Sequence, residues 1–370
     1  MPPLTLMIKP ASGLCNLRCS YCFYTDVATR RETASYGIMS LETLENLIRR
    51  AFAFADGQVN VAFQGGEPTL AGKDFFRQVL RLEKKYNSRG LSINNAIQTN
   101  GVELDREWAE LFRQGQFLVG VSVDGTRALH DGCRRDVAGR PTYDRVMESL
   151  RLLKQEKIEY NLLCVVNQQI ASHPAEVFQS LQEHGYLQFI PCLDDFDGRR
   201  NEFSLDSATY GQFLIETFDL YEKSWRQGHP VSVRTFDNWI AMILGQPPEN
   251  CAMGGRCGQY FLVEADGSVY PCDFYVLDPW KMGNVNQDSF FKLHKSPVGE
   301  AFRAPSHIVS QECRDCPWFS LCRGGCKRER EPVVDGSPSL FRLCQGHRLF
   351  FQARESRLRA LARDIAGQRA

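Results

Sequence analysis

The chain has 370 residues, 43% of them hydrophobic, with 44 Lys and Arg balanced by 44 Asp and Glu. That is enough apolar material for a substantial core in two or three domains, and the absence of net charge excludes tight non-specific binding to nucleic acid. The N-terminal Met-Pro-Pro-Leu-Thr-Leu-Met-Ile-Lys lacks a basic region followed by a long apolar run, and no later segment reaches bilayer-spanning length, so a cytoplasmic protein that makes no membrane contact is expected.

From residue 3 to about 195, short β-rich runs alternate with amphipathic helices, which is the pattern of parallel βα units. Strands are predicted near residues 4–8, 59–63, 91–97, 117–123, 159–166 and 187–191. Between them, Leu44, Leu47, Ala51 and Ala55 follow Ser40 as a cap, and Tyr143, Val146, Met147, Leu150 and Leu153 share a second core-facing stripe. Six such units fit an α/β fold, a partial (β/α)6 TIM-like barrel. Function in parallel sheets collects beyond the carboxyl ends of strands. Gln64-Gly65-Gly66-Glu67-Pro68, Gln98-Thr99-Asn100, Ser122-Val123-Asp124-Gly125 and Cys192-Leu193-Asp194 are all expected there, at one mouth.

After Asp194 a polar stretch through Arg199 and Arg200 leads to a helix of about five turns carrying Phe213, Leu214, Phe218, Tyr221 and Trp225. Residues 250–345 hold eight of the fourteen Cys among many Gly and turn residues, so metal is expected to replace the missing hydrophobic core there. A terminal helix places Phe350, Leu358, Leu361 and Ile365 on its core face, with its arginines expected on a solvated one. The division reads as a barrel over 1–200, a helical linker over 201–249, a C-terminal Cys-rich domain over 250–345, which the resemblance given below implies is an iron-sulfur domain, and a terminal helix over 346–370.

Fourteen Cys without a secretion signal argue for metal or redox chemistry over disulfides. Cys15-x3-Cys19-x2-Cys22 supplies three thiolates, which leaves one iron of a four-iron cluster unclaimed by protein. An open position is likewise what separates catalytic from structural zinc, and a zinc knuckle is the competing reading. Gly65-Gly66 allows close backbone approach to a ligand, although a tight βα turn would use glycines too. Further on come Cys251-x5-Cys257, Cys272, Cys313-x2-Cys316-x5-Cys322-x3-Cys326 and Cys344, eight ligands for two closed sites that zinc would also satisfy. Cys133, Cys164 and Cys192 have no ligand spacing; Cys164, within an apolar strand, behaves as a small hydrophobe. Asp273, beside Cys272 in Tyr270-Pro271-Cys272-Asp273-Phe274-Tyr275, is either a base in an aromatic pocket or a turn aspartate.

The run from Cys15 to Cys22, with Gly65-Gly66-Glu67 about forty residues on, resembles the signature of the radical S-adenosylmethionine (SAM) enzymes. That resemblance implies SAM chelated by the open iron, with Tyr21 and Leu193 at the adenine, Gly66 at the amino group, Ser122 at the ribose and Arg134 at the carboxylate. The later cysteines resemble the SPASM extension, which implies one auxiliary [4Fe-4S] cluster on Cys251, Cys257, Cys272 and Cys326, a second on Cys313, Cys316, Cys322 and Cys344, and three clusters in all.

Nearly the whole chain resembles the anaerobic sulfatase-maturating enzymes, through Ile8-Lys9-Pro10, Cys22-Phe23-Tyr24, Phe63-Gln64-Gly65-Gly66-Glu67-Pro68-Thr69, Gln98-Thr99-Asn100-Gly101, Gly267-Ser268-Val269-Tyr270-Pro271-Cys272-Asp273-Phe274-Tyr275 and Cys316-Pro317-Trp318-Phe319. Thr126, where Pro is common, departs from that pattern in one turn. The implied reaction converts a Cys or Ser of an unfolded or nascent sulfatase, in a Cys/Ser-x-Pro-x-Arg motif, to Cα-formylglycine. A 5′-deoxyadenosyl radical takes a Cβ hydrogen, Asp273 accepts the thiol or hydroxyl proton, an electron passes to an auxiliary cluster, and Tyr24 and Gln64 border the substrate. A flavodoxin or ferredoxin would supply electrons to a monomer. The competing functions are another SPASM-type peptide modification, such as thioether formation, and a non-enzymatic zinc protein.

Overall fold

In the computed structural model, which describes residues 2–334 and 337–369, the main strands are β1 (Leu4–Ile8), β2 (Gln58–Phe63), β3 (Ser92–Thr99), β4 (Leu118–Ser122), β5 (Tyr160–Val166), β6 (Tyr186–Pro191), β7 (Ser232–Val233), β8 (Phe261–Val263), β9 (Ser268–Tyr270) and β10 (Gly283–Asn284). The first six lie where the sequence pattern predicts them, within two residues at each end. The chain forms two compact units, one of Met1–Ser122, Asp131–Asn161 and Gln259–Phe302, the other of Val123–His130, Leu162–Gly258 and Arg303–Ala370.

In the first unit the strand order is β10-β9-β8-β1-β2-β3-β4. β1 to β4 run parallel, each beside the next. Val59, Val61 and Phe63 of β2 are buried while the residues between them are not, which is the period-two pattern of a strand with one core face. The helix Leu41–Phe54 begins where the Ser40 hydroxyl accepts the Thr43 N–H at 3.1 Å. Its stripe of Leu44, Leu47, Ile48 and Ala51 is fully buried, each Leu or Ile contributing about 1.5–3 kcal/mol. Helix Lys73–Tyr86 buries Phe75, Phe76, Val79 and Leu82 in the same way.

The expectation that metal replaces a core throughout 250–345 is corrected for residues 259–302. β8 pairs parallel with β1, Leu6 opposite Phe261, and β9 and β10 continue the sheet antiparallel. Phe261, Leu262, Val263, Val269, Tyr270, Phe290 and Leu293 are buried there. Strands of two or three residues are too short to show an alternation in the sequence, and every residue of β8 and β9 is buried.

The second unit has the parallel order β5-β6-β7. Its helix Ser207–Arg226 is capped by the Asp206 carboxylate, which accepts the Ala208 and Thr209 N–H groups. This helix packs on the terminal helix Cys344–Arg369 through a glycine pair: a Cβ on Gly346 would lie 2.2 Å from the Ser207 carbonyl, and one on Gly211 2.8 Å from Gly346. Phe218, Phe236, Trp239, Phe350 and Phe351 form the aromatic core beside that crossing. On the terminal helix Arg354 pairs with Asp219 at 2.8 Å, and the exposed Arg357 pairs with Asp219 and Glu222. Among the described residues no helix is long and apolar enough to cross a membrane.

Candidate active site

The three clustered thiols occupy the loop between β1 and the helix Phe23–Thr29, and none is in a disulfide. Backbone bonds shape that loop: Cys22 N–H donates to the Cys19 carbonyl at 3.1 Å, Arg18 N–H to Arg135 at 2.8 Å and Ser20 N–H to Cys133 at 3.1 Å. Cys133 therefore serves as scaffold, buried and offering its carbonyl. Donors surround the sulfurs: Leu17 N–H lies 3.4 Å from Cys15 Sγ, Asn100 Nδ2 3.9 Å from the same atom and Arg134 Nη1 4.0 Å from Cys19 Sγ. Such donors stabilise thiolates, the form that ligates iron.

The glycine turn after β2 is pressed against this loop. Gly65 and Gly66 have φ of +90° and +50°, and a Cβ on Gly66 would lie 2.2 Å from the Leu14 carbonyl. Glu67 N–H donates to that same carbonyl at 2.8 Å. The buried Glu67 carboxylate accepts Thr69 N–H at 3.1 Å, the Thr69 and Thr99 hydroxyls at 2.8 Å each and Asn100 N–H at 2.7 Å, tying the turn to the end of β3. Burial pushes this carboxyl up, against those four donations. Its clamping role is one that sequence reasoning did not assign. Arg134, buried, has its guanidinium 5.5 Å from the Tyr21 ring, and Ser122 is half-buried at the end of β4. The chemistry of these residues fits SAM: the two glycines let the turn lie flush against the cysteine loop, and Arg134 sets a buried cation beside Cys19. Leu193, in the second unit, is half-buried just beyond β6.

Asp273 opens the short turn after β9 and is buried, while its backbone N–H donates to Tyr260 Oη at 2.9 Å. Its Oδ2 accepts the Tyr24 hydroxyl at 2.7 Å and Gln64 Nε2 at 3.0 Å. Its Oδ1 is buried with no partner among the described residues. Burial pushes the Asp273 carboxyl up, opposed by the charge of Lys9 and the donation from Tyr24. Burial first, then the adjacent Asp273 charge, pushes the Tyr24 phenol well above its ordinary range, so Tyr24 acts as a neutral donor. Behind them Lys9 is fully buried, its Nζ 3.2 Å from Glu264 Oε1 and 4.7 Å from the Tyr24 ring centre; Arg31 Nη1 reaches the same Glu264 oxygen at 2.8 Å. Phe23 packs on Tyr24 and edge-on against Phe274. Lys9 stands in a motif singled out above but received no role there, and Arg31, Glu264 and Tyr260 carried no local signal.

In the second unit, burial pushes the Cys322 thiol up to about 12, and nearby Cys344, Cys313 and Cys316 push in the same direction. Four thiols within electrostatic reach destabilise one another's ionised forms unless shared cations neutralise them, so they fit a cluster. Cys257 N–H donates to the Ser306 hydroxyl at 2.9 Å, and burial first, then nearby Cys257, pushes the Cys251 thiol up. Cys251, Cys257 and Cys326 belong to the second unit and Cys272 to the first. Among the described residues no three His, Cys, Asp or Glu side chains converge as on a single ion. Thiolates on separate irons of a cubane do not meet at one point. Cys164 and Cys192 are buried, Cys164 within β5.

The radical SAM superfamily model matches residues 10–181, and an iron-sulfur cluster-binding domain model matches 251–317. A cysteine-type anaerobic sulfatase-maturating enzyme of Clostridium novyi is 41% identical over 99% of both chains. A serine-type enzyme of Bacteroides thetaiotaomicron is 31% identical over 100% of this chain and 93% of its own. The solved structure described as native anSMEcpe with bound AdoMet and Cp18Cys peptide superposes with a TM-score of 0.94 at 41% identity, covering 98% of this chain and 100% of that one. The fold is thus the TIM-like α/β type of that structure with a C-terminal iron-sulfur domain. With near-complete coverage at this identity, the chain belongs to the anaerobic sulfatase-maturating enzymes of the radical SAM superfamily.

Proposed function

We propose that the chain oxidises one Cys of a nascent or unfolded sulfatase to Cα-formylglycine in the cytoplasm, with Asp273 as proton acceptor. The observation that carries this is the buried Asp273 carboxylate, whose Oδ2 is held by Tyr24 and Gln64 while Oδ1 has no partner among the described residues. A buried acceptor without a donor is costly, and a substrate thiol at Oδ1 would supply the missing proton.

Cys15, Cys19 and Cys22 would hold the SAM-binding [4Fe-4S] cluster, with Gly66 and Arg134 at the methionyl end of SAM, Ser122 at the ribose and Tyr21 and Leu193 at the adenine. Cys251, Cys257, Cys272 and Cys326 would hold one auxiliary cluster and Cys313, Cys316, Cys322 and Cys344 the other. When bound, these groups supply what side chains lack: a 5′-deoxyadenosyl radical that removes a Cβ hydrogen, and an acceptor for one electron. The protein's part is positional and protic. Tyr24 and Gln64 fix the carboxylate, Asp273 takes the thiol proton, and the surrounding aromatic side chains limit access of water and stray hydrogen donors. Hydrolysis of the resulting thioaldehyde leaves the aldehyde.

Cysteine as target is supported by the 41–42% identity to cysteine-type relatives against 30–31% to serine-type ones. The target motif is Cys-x-Pro-x-Arg, the electron donor a flavodoxin or ferredoxin, and the working form a monomer. Functionally, residues 1–200 form the radical-generating barrel, 201–249 the helical linker, 250–345 the auxiliary-cluster domain and 346–370 the closing helix. The test is anaerobic incubation with SAM, a reductant and an 18-residue sulfatase peptide carrying Cys-x-Pro-x-Arg, read by mass spectrometry. An aldehyde at the Cys position is expected; a peptide that loses two hydrogens and yields no aldehyde overturns the assignment.

A further inference from the structure

β1, β2 and β8 run parallel with Ile8 opposite both Phe63 and Val263, so the residues that follow the three strand ends lie side by side. Lys9 N–H donates to the Val263 carbonyl and Gln64 N–H to the Ile8 carbonyl, each at 2.9 Å, which brings Lys9, Gln64 and Glu264 into one row. Lys9 is buried, and its stem fills the space that Gly65 leaves: a Cβ there would meet Lys9 Cε, Cγ and Cδ at 2.4, 2.7 and 2.9 Å. Nζ then stands 3.2 Å from Glu264 Oε1 and 4.7 Å from the centre of the Tyr24 ring. This anchor is itself fixed, since Glu264 Oε1 also meets Arg31 Nη1 at 2.8 Å and its Oε2 accepts the Ala265 N–H at 3.1 Å. At the far end of the ring, the Tyr24 hydroxyl accepts from Gln64 Nε2 at 3.0 Å and donates to Asp273 Oδ2 at 2.7 Å. All of these residues belong to the first unit.

A buried ammonium needs a counter-charge, and Glu264 meets that need without Tyr24. The place of Nζ over the ring is therefore a second contact, in which a cation attracts an aromatic face and fixes its plane, most strongly where water is excluded. The plane of the ring sets where its hydroxyl points. We infer that Lys9 is a positioning residue for the proton transfer: it holds the Tyr24 ring so that the hydroxyl meets Asp273 Oδ2, while Glu264 and Arg31 hold Lys9. This deepens the proposed function and rests on Asp273 as the proton acceptor. A carboxylate whose Oδ2 is loosely held presents Oδ1 in the productive geometry for less of the time, so loss of Lys9 slows proton transfer and leaves substrate capture alone.

The test uses reconstituted protein carrying Lys9→Met, Lys9→Met/Glu264→Gln, Tyr24→Phe, Lys9→Met/Tyr24→Phe or Asp273→Asn, with iron content measured for each. Methionine keeps a stem of similar length beside Gly65 and removes only the ammonium. Adding Glu264→Gln avoids a stranded buried carboxylate, which covers the case in which Lys9→Met alone fails to fold. With SAM, a reductant and the 18-residue peptide, Lys9→Met is expected to lower kcat for formylglycine about tenfold, with peptide KM within about twofold of wild type. Formation of 5′-deoxyadenosine and iron content should stay near wild type, and Lys9→Met/Glu264→Gln should show the same loss. In the Tyr24→Phe background the Lys9 change should cost less than about twofold, because the hydroxyl it positions is gone. A full further loss there overturns the inference by assigning Lys9 to the carboxylate itself or to general packing. Wild-type kcat in Lys9→Met, or its recovery in Lys9→Met/Glu264→Gln, overturns it too, as does iron loss in parallel with product loss. Absence of formylglycine from the unaltered chain, or an undiminished yield from Asp273→Asn, overturns it through its premise, which separates failure of the proposed function from failure of the Lys9 role.

Discussion

Replacing Asp273 by Asn separates proton transfer from SAM cleavage. The geometry tolerates the amide. Its oxygen can keep the Tyr24 and Gln64 donations at the Oδ2 position, and its NH2 falls where Oδ1 has no partner among the described residues, so no donor is forced against another. The Tyr24 bond changes from a charge-assisted one to a neutral one, a loss of about 1 kcal/mol, which removal of a buried charge partly offsets. Stability should therefore change by no more than about 1 kcal/mol, while loss of a positioned base should slow product formation by about 10²–10⁴-fold. The Asp273 carboxylate is held by Tyr24 and Gln64, neither of which is among the residues proposed to hold SAM, so cleavage of SAM should stay within a few-fold of wild type. The assay quantifies 5′-deoxyadenosine and formylglycine peptide in one anaerobic time course. A parallel fall of both products would place Asp273 in folding or in the SAM site, and undiminished formylglycine would assign the proton to another group.

Gly66→Ala meets both a left-handed φ and a backbone oxygen 2.2 Å away, so the turn must move off the cysteine loop; about 1–2 kcal/mol of conformational cost plus the clash should reduce SAM binding at least tenfold, measured by dialysis. Ala at Cys15, Cys19 and Cys22 together should remove about a third of roughly twelve irons, since four belong to each cubane, and iron analysis showing full retention, or zinc instead, would contradict the ligand grouping. Burial among Trp239, Phe341 and Phe351 lowers the His347 imidazole from 6.5 to about 4. Between those values the unfolded chain binds the proton first, so stability falls as pH drops from 6.5 towards 4. His347→Phe should lose less stability over that window in anaerobic denaturant titrations, and equal losses would refute the assignment.

The cysteine groups stood out in the sequence because their thiols recur at short spacings, as from Cys15 to Cys22 and from Cys313 to Cys326, while their sorting into sets came from the family resemblance. The parallel strands of the barrel were legible for a similar reason, since Val59, Val61 and Phe63 announce a face by alternation alone. Asp273 was visible only through its place beside Cys272 and the family resemblance. The ion pairs behind it were not visible, because Lys9 and Arg31 meet Glu264 only in the folded chain and a buried ion pair leaves no local period. β8 to β10 were missed because strands of two or three residues are too short to show a period. The ion pairs that Arg354 and Arg357 make from the terminal helix were not legible, since Asp219 and Glu222 sit on another helix that packs against it at the Gly211 and Gly346 crossing.

The central claim is that the reaction breaks a Cβ–H bond of a sulfatase Cys. Two otherwise identical 18-residue substrate peptides, deuterated at either Cα or Cβ of that Cys, are each incubated anaerobically with SAM and reductant, and the deuterium content of 5′-deoxyadenosine is read by mass spectrometry. The account predicts deuterium from the Cβ-labelled peptide alone, with an aldehyde that reacts with hydrazine reagents. Deuterium arriving from Cα would contradict it and move the chain to the peptide-crosslinking enzymes.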